Sequence, residues 1–313
     1  MVSTVRRVTG ALSQVNEGVS DFIRRYQRRE TSKWLLLFPG VVLITFFLVI
    51  PSLLLLRYSF FPYVEGSVGT GWSVMNYARG ILTPLYQTYL MRSIRISFFT
   101  TLFAFLLGFP LAYTAARKGG LLGTVIVISA LAPLTIDLVI RTFGWYVILS
   151  RGGLLESVLV WTPFFTEETA PSFLFSPSGV IIGMTHVLLP YMVFPIISII
   201  HTIPESLEEA AQDLGANRFE VFLKVILPLS LPGISAGILI VFLSAMTSYV
   251  TPQMLGGDFK VLATEITRLI TSSNNWPFAS ALSSMLIAIS VLVIVLYYRT
   301  QLLIEDSGGD DDE

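Results

Sequence analysis

The sequence predicts an all-α membrane protein with six transmembrane helices. Of its 313 residues, 53% are hydrophobic and only 13% are charged, and its mean hydropathy is +0.72. An average soluble domain carries about 25% charged residues. Six apolar stretches are long enough to cross a bilayer, at residues 34–56, about 96–116, about 121–149, 180–200, 232–250 and 279–298. Lipid offers the backbone no hydrogen-bond partner and these stretches do not alternate as barrel strands do, so we expect helices.

The basic residues before the first stretch predict its orientation. Residues 1–33 contain seven of them: Arg6, Arg7, Arg24, Arg25, Arg28, Arg29 and Lys33. Lys and Arg concentrate on the cytoplasmic side, so the N-terminus is predicted inside, and six crossings return the C-terminus there. The segment 12–30 has the spacing of an amphipathic helix lying on the inner leaflet. A plain basic flank explains the same residues equally well.

The middle stretches are joined by loops of two kinds. The turn after the second stretch, Arg117-Lys118-Gly119-Gly120, is short and basic and is predicted to be cytoplasmic. The loops at about 57–95, 150–179 and 251–278 are then outside. After the sixth stretch, residues 304–313 are acidic and are expected to be disordered.

The loop between stretches four and five, residues 201–231, predicts a short helix, a glycine turn and a second helix. Thr202 followed by Glu205 fits a capping box, and Gly215 stands where a left-handed helix end is expected. Asn217 is predicted to cap the second helix, with Glu220 at its third position. The first helix has one apolar face, formed by Leu207, Ala210, Ala211 and Leu214. An ordinary amphipathic hairpin between two spans would show the same periodicity.

The spacing within this loop is more specific than its periodicity. Glu209-Ala210-Ala211, three residues, Gly215 and then Leu227-Pro228 resembles the EAA loop of ABC importer permeases. Val225 stands where that family usually has Ile. The resemblance implies that the first helix docks in a cleft of a separate ATPase, where Glu209 pairs with a basic residue. The coupling residues it implies are Glu209, Ala210, Ala211, Leu214, Gly215, Leu227 and Pro228.

The resemblance extends over residues 34–303, where the chain is similar to the first permease of spermidine/putrescine importers. It rests on Asn76-Tyr77, Pro84-Leu85-Tyr86, Gly108-Phe109-Pro110, Ile140-Arg141, Met254-Leu255-Gly256-Gly257 and Trp276-Pro277-Phe278. It implies a MetI-like core of spans two to six plus an added first span, in the plasma membrane. It also implies a second, different permease, an ABC ATPase dimer and an extracytoplasmic binding protein. The implied solute is a polyamine, with iron(III), thiamine, phosphonate, molybdate or sulfate as alternatives.

Four residues are candidates for the translocation path. Asp137 and Arg141 lie one helical turn apart in the third stretch, and intramembrane charges usually face a cavity. A self-neutralising ion pair between them is the alternative. Glu265 and Trp276 lie in the outward segment 251–278, where they could meet a cation. Trp276 equally suits an interfacial aromatic belt.

Several function classes are disfavoured by what the sequence lacks. It contains no G-x-x-x-x-G-K-[ST] motif, so ATP and Mg²⁺ are expected on the partner ATPase and no cofactor on this chain. It has no cysteine and only two histidines, which leaves no thiolate metal site and predicts no metal. An H-E-x-x-H motif, which would indicate a metalloprotease, is absent from the sequence. A stand-alone secondary transporter would show an internal repeat and more intramembrane charges, and a channel would show a filter-like loop.

Overall fold

The computed structural model describes residues 30–64, 66–166 and 168–309, with the side chains of 37–64, 66–166 and 168–299. The chain divides into two units, Met1–Arg57 and Tyr58–Glu313. The described part of the first unit contains helix α1 (Glu30–Ile44), a π-helical turn (Thr45–Val49) and helix α2 (Ile50–Tyr58) up to its last residue, which is the first residue of the second unit. These three elements follow one another without a break, and the part Leu37–Tyr58 is long and apolar enough to cross a membrane, as the sequence predicts. The predicted amphipathic segment up to residue 29 lies outside the described residues.

In the residues that the structure describes, the second unit consists of helices, connecting loops and one small β-hairpin. Strands β1 (Tyr63–Val64) and β2 (Ser67–Val68) pair antiparallel with Val64 opposite Ser67. The helices are α3 (Met75–Leu82), α4 (Pro84–Lys118), α5 (Gly120–Thr135), α6 (Leu138–Leu149), α7 (Leu154–Val160), α8 (Pro177–Ile200), α9 (Glu205–Asp213), α10 (Arg218–Val221), a π-helical turn (Phe222–Ile226), α11 (Leu227–Leu229), α12 (Leu231–Thr247), α13 (Val250–Leu255), α14 (Leu262–Thr271) and α15 (Trp276–Gly309). Helix α15 therefore continues into the acidic segment 304–313, for which disorder was expected.

Helices α4, α8 and α12 form the core of this unit. The side chain of Met192 on α8 is completely buried between glycines of the other two helices. A Cβ atom added at Gly108 of α4 would lie 3.1 Å from Met192 Cγ, and one added at Gly237 of α12 would lie 2.8 Å from Met192 Sδ. Small residues let membrane helices approach closely. The glycines thus stand where the three helices cross.

The third predicted stretch is two helices rather than one, so the expectation of a continuous span over 121–149 is wrong. Helix α5 ends at Thr135, and Ile136 is extended. Asp137 then caps α6, with its Oδ1 accepting a hydrogen bond from Val139 N at 2.8 Å. Pro133 in the last turn of α5 and a capping carboxylate four residues later together explain the break.

The chain bends just before the fifth stretch, where the segment Arg218–Leu229 meets α12 at 66°. Pro228 lacks a backbone N–H and its ring clashes with the carbonyl four residues earlier, so the helix before it widens into the π-helical turn. Pro232 lies in the first turn of α12, where a missing N–H is tolerated. In the described residues, five helices pass the length and hydropathy requirements for a span, and six do if this bent pair counts as one.

Candidate functional site

The loop 201–231 forms the predicted hairpin, with one error at its start. Pro204, not Thr202, precedes α9, and no side chain caps that helix. Thr202 Oγ1 instead donates to Ile199 O at 2.7 Å, inside the turn that ends α8. The predicted Thr202–Glu205 capping box is therefore wrong, because Thr202 is occupied by the helix before it.

The glycine turn is formed as predicted. Gly215 has φ +91°, in the left-handed region, where a side chain would be strained. Its N–H donates to Gln212 O at 2.9 Å, and the N–H of Ala216 donates to Ala211 O at 3.0 Å. These two bonds are those of a Schellman motif, which satisfies the last carbonyls of α9.

The second helix of the hairpin also starts as predicted. Asn217 Oδ1 accepts hydrogen bonds from Phe219 N and Glu220 N, both at 3.0 Å. Glu220 Oε2 accepts one from Asn217 N at 3.0 Å, which completes a capping box. Phe222 then packs edge-to-face on Phe109 of α4 at 5.3 Å between ring centroids. The hairpin is thus held to the helical core from this side.

The apolar face of α9 has little cover in this chain. Leu214 is 90% exposed, and Leu207 and Ala210 are also exposed. Ala211 is half-buried against the core. Glu209 is exposed and makes no ion pair with any residue the structure describes. An uncovered apolar ridge with a carboxylate beside it is suited to docking on another protein.

Sequence reasoning missed the neighbour of Glu209. Glu208 Oε1 lies 2.5 Å from Arg117 Nε of α4, and its Oε2 accepts a hydrogen bond from Tyr113 Oη at 3.0 Å. Arg117 Nη2 also donates to Ile203 O at 3.0 Å. The sequence signal for this contact is the pair of adjacent glutamates, Glu208 and Glu209. Consecutive residues of a helix point about 100° apart, so only one of the two can face a docking partner.

The intramembrane charges do not neutralise each other. Asp137 is exposed and Arg141 is half-buried, and no ion pair joins these two described residues. Arg141 Nε and Nη1 are buried and lack a hydrogen-bond partner among the described residues, as do Thr185 Oγ1 and His186 Nδ1 of α8. The sequence alternative of a self-neutralising pair is therefore wrong, because Asp137 caps the helix that contains Arg141.

Glu265 is only 1% exposed and is already paired. Arg268 Nε and Nη2 donate to its two carboxylate oxygens at 2.8 and 2.6 Å. The hydrogen bonds to Glu265 raise the pKa of Arg268 above its ordinary value. Trp276 is exposed and donates from Nε1 to Asn274 Oδ1 at 3.0 Å. The structure thus places the predicted coupling residues in one hairpin. The predicted path residues are spread along the sequence, with Asp137 and Arg141 at the start of α6, Glu265 on α14 and Trp276 on α15.

Comparison with known proteins identifies the family of the chain. A family described as the binding-protein-dependent transport system inner membrane component matches residues 96–306, more than half of the chain. The chain belongs to this family. It is a multi-pass permease subunit of an ABC importer, does not itself catalyse ATP hydrolysis and holds no cofactor. An importer of this kind comprises an ATPase, a partner permease and a binding protein.

Relatives of the permease cover most of its length. It is 32% identical over 290 residues to the spermidine/putrescine transport system permease protein PotB of Salmonella typhimurium, which covers 90% of this chain and 99% of the relative. It is 34% identical over 262 residues to the protein of that name from Haemophilus influenzae, which covers 83% of this chain and 90% of the relative.

Solved structures share the fold of the permease. A chain of a bacterial ABC transporter involved in the import of the acidic polysaccharide alginate matches with a TM-score of 0.69 and 17% identity, over 91% of this chain and 99% of that one. The methionine ABC transporter MetNI, in an inward-facing conformation, matches with a TM-score of 0.54 and 16% identity, over 70% and 97%. At these identities the matches support the predicted all-helical permease fold and nothing finer.

Proposed function

We propose that this permease imports a polyamine, spermidine or putrescine, handed over by an extracytoplasmic binding protein. The observation that carries the proposal is the near-complete coverage of both chains in the match to permeases named for spermidine/putrescine transport. We further propose that the partner permease is a distinct chain and that each of the two docks on one subunit of an ATPase dimer.

The docking surface in this proposal is the exposed side of α9. Ala210 lets a partner approach the helix backbone, and Leu214 offers apolar area at the end of the helix. Glu209 supplies a negative charge that a basic residue of the ATPase would meet. Closure of the ATPase dimer on ATP would then displace α9, and the membrane helices would alternate between outward and inward access.

The orientation follows from the same proposal. If α9 meets an ATPase, the loop 201–231 is cytoplasmic, and so are both termini. The chain has no cysteine, so Leu214→Cys creates a single labelling site. A membrane-impermeant maleimide should label this cysteine in inside-out membrane vesicles but not in intact cells, and added ATPase should slow the labelling. Labelling in intact cells would contradict this orientation.

The proposed path includes Asp137, Arg141, Glu265 and Trp276. Asp137 is best placed to meet a polycation, because it is exposed at the break within the third stretch. Glu265 has both oxygens bound by Arg268 and could contribute only if that pair opened.

Reconstitution of the complete importer tests the function. The permease, its partner permease, the ATPase and the binding protein would be placed in liposomes, and ATP-dependent uptake of labelled spermidine and putrescine compared with thiamine, iron(III) and molybdate. Polyamine uptake is expected. Uptake of another solute alone would refute the polyamine assignment and keep the permease role.

Charge reversal on α9 tests the docking. Glu209→Lys should abolish uptake and weaken co-purification of the ATPase, because like charges meeting across an interface cost several kcal/mol. Asp258→Lys is the control, since it makes the same charge reversal at an exposed position in the segment 251–278, which lies on the other side of the membrane in the proposed orientation. Normal uptake by a well-expressed Glu209→Lys importer would show that Glu209 does not mediate docking.

A further inference from the structure

The two adjacent glutamates of α9 have different surroundings. Glu209 is exposed, whereas the Glu208 side chain is 13% exposed and its partner Arg117 11%. Both oxygens of Glu208 are engaged, one by Arg117 and the other by Tyr113. Glu208 therefore faces its own chain, where both of its carboxylate oxygens are already engaged.

The residues that hold Glu208 belong to the cytoplasmic end of one core helix. Tyr113 and Arg117 are four residues apart in the last two turns of α4, so their side chains share a face. Arg117 also binds Ile203 O, in the turn between α8 and α9. One guanidinium thus joins α4, the end of α8 and the first half of α9. Elsewhere α9 packs on α10 and the π-helical turn.

We infer that Arg117, with Tyr113 and Glu208, is a latch that transmits displacement of the docking helix to α4. The inference rests on the proposed docking of α9. Because α4 packs on both α8 and α12, a displacement of Arg117 would be passed on to all three core helices. Arg117 and Tyr113 are positioning residues, since neither is exposed on the docking face.

A latch and a mere folding anchor differ in what their loss does. Without the latch, α9 still bears the motif and still binds the ATPase, but its displacement is poorly passed to the membrane helices. ATP hydrolysis then continues while fewer solute molecules cross per ATP. Loss of a folding anchor instead lowers the amount of assembled complex and leaves the ratio of transport to hydrolysis unchanged in what remains.

The experiment measures solute transported per ATP hydrolysed by reconstituted importers, at saturating binding protein. Arg117→Gln and Glu208→Gln are each expected to co-purify with the ATPase and to lower this ratio by about tenfold, a common size for coupling between two sites. Arg117→Lys should recover part of it, because an ammonium keeps the charge but cannot bridge Glu208 and Ile203 as the guanidinium does. Lys118→Gln is the control, since Lys118 is exposed and its loss should leave the ratio unchanged.

Two results would overturn the latch. One is a wild-type ratio in both Arg117→Gln and Glu208→Gln. The other is loss of ATPase co-purification with an unchanged ratio in the surviving complex, which would make Arg117 a folding anchor. The proposed function fails separately: it fails if the wild-type importer takes up no polyamine, and the ratio is then measured with whichever solute is transported.

Discussion

Two glycine-to-alanine changes should shift stability in opposite directions. A Cβ at Gly233 of α12 would lie 2.7 Å from Pro195 O, a backbone atom of α8, and 2.9 Å from Ile199 Cγ1. The carbonyl belongs to a packed helix and cannot rotate aside, so the two helices must separate. A Cβ at Gly144 of α6 meets nothing within 4 Å. The chemical change is the same, and only the surroundings differ.

The magnitudes follow from two opposing terms. Overpacking costs about 1–3 kcal/mol, and alanine returns at most about 1 kcal/mol of helix propensity. With that full return, Gly233→Ala should lose up to about 2 kcal/mol and lower the unfolding midpoint by up to roughly 8 °C, whereas Gly144→Ala should raise it by roughly 2–4 °C. Thermal unfolding of the full chain in detergent, followed by tryptophan fluorescence, measures both. A midpoint for Gly233→Ala at or above that of Gly144→Ala would refute the close helix crossing.

Two further predictions concern polar contacts outside the helical core. Asn217→Ala removes the acceptor for two backbone N–H groups and should cost about 0.5–2 kcal/mol of unfolding free energy, whereas Asn217→Asp should cost little; equal losses in thermal unfolding would argue against the cap. Arg268→Gln leaves the buried Glu265 carboxylate without its cation and should cost about 3–5 kcal/mol. Glu265→Gln should cost less, because Arg268 is partly exposed and can reach water; the reverse order would contradict this.

Hydropathy located the membrane stretches well but not their internal breaks. The apolar residues on both sides of Ile136 carry the same hydropathy whether the helix continues or stops. What ends α5 is local chemistry: Pro133, an extended Ile136 and the carboxylate of Asp137 on the next N–H groups. Asp137 was interpreted from the sequence as an intramembrane charge, and its second role as a helix cap requires knowing that a helix begins there.

In the loop 201–231, by contrast, the sequence predicts local detail, because particular positions there have specific backbone requirements. Gly215 and Asn217 were predicted correctly, since a left-handed turn and a cap each select few residue types. Thr202 was assigned to the wrong helix, because a hydroxyl can bond either way along the chain and only the position of Pro204 decides. The partner of Glu208 could not be found, because Arg117 is far away in sequence and meets it only through packing of α4.

The role of Asp137 can be separated from its capping by one pair of substitutions. Asp and Asn are equally good helix caps, so Asp137→Asn keeps the bond to Val139 N and removes only the charge, while Asp137→Ala removes both. A hydrogen bond to a charged group contributes about 1.5–3 kcal/mol. If Asp137 meets a polyamine ammonium, Asp137→Asn should therefore lower uptake at limiting spermidine by about tenfold or more, with an unchanged unfolding midpoint. If it only caps α6, Asp137→Asn should transport normally and Asp137→Ala should be the destabilised variant. Normal uptake by Asp137→Asn would thus remove Asp137 from the path and leave the break in the third stretch as its whole function.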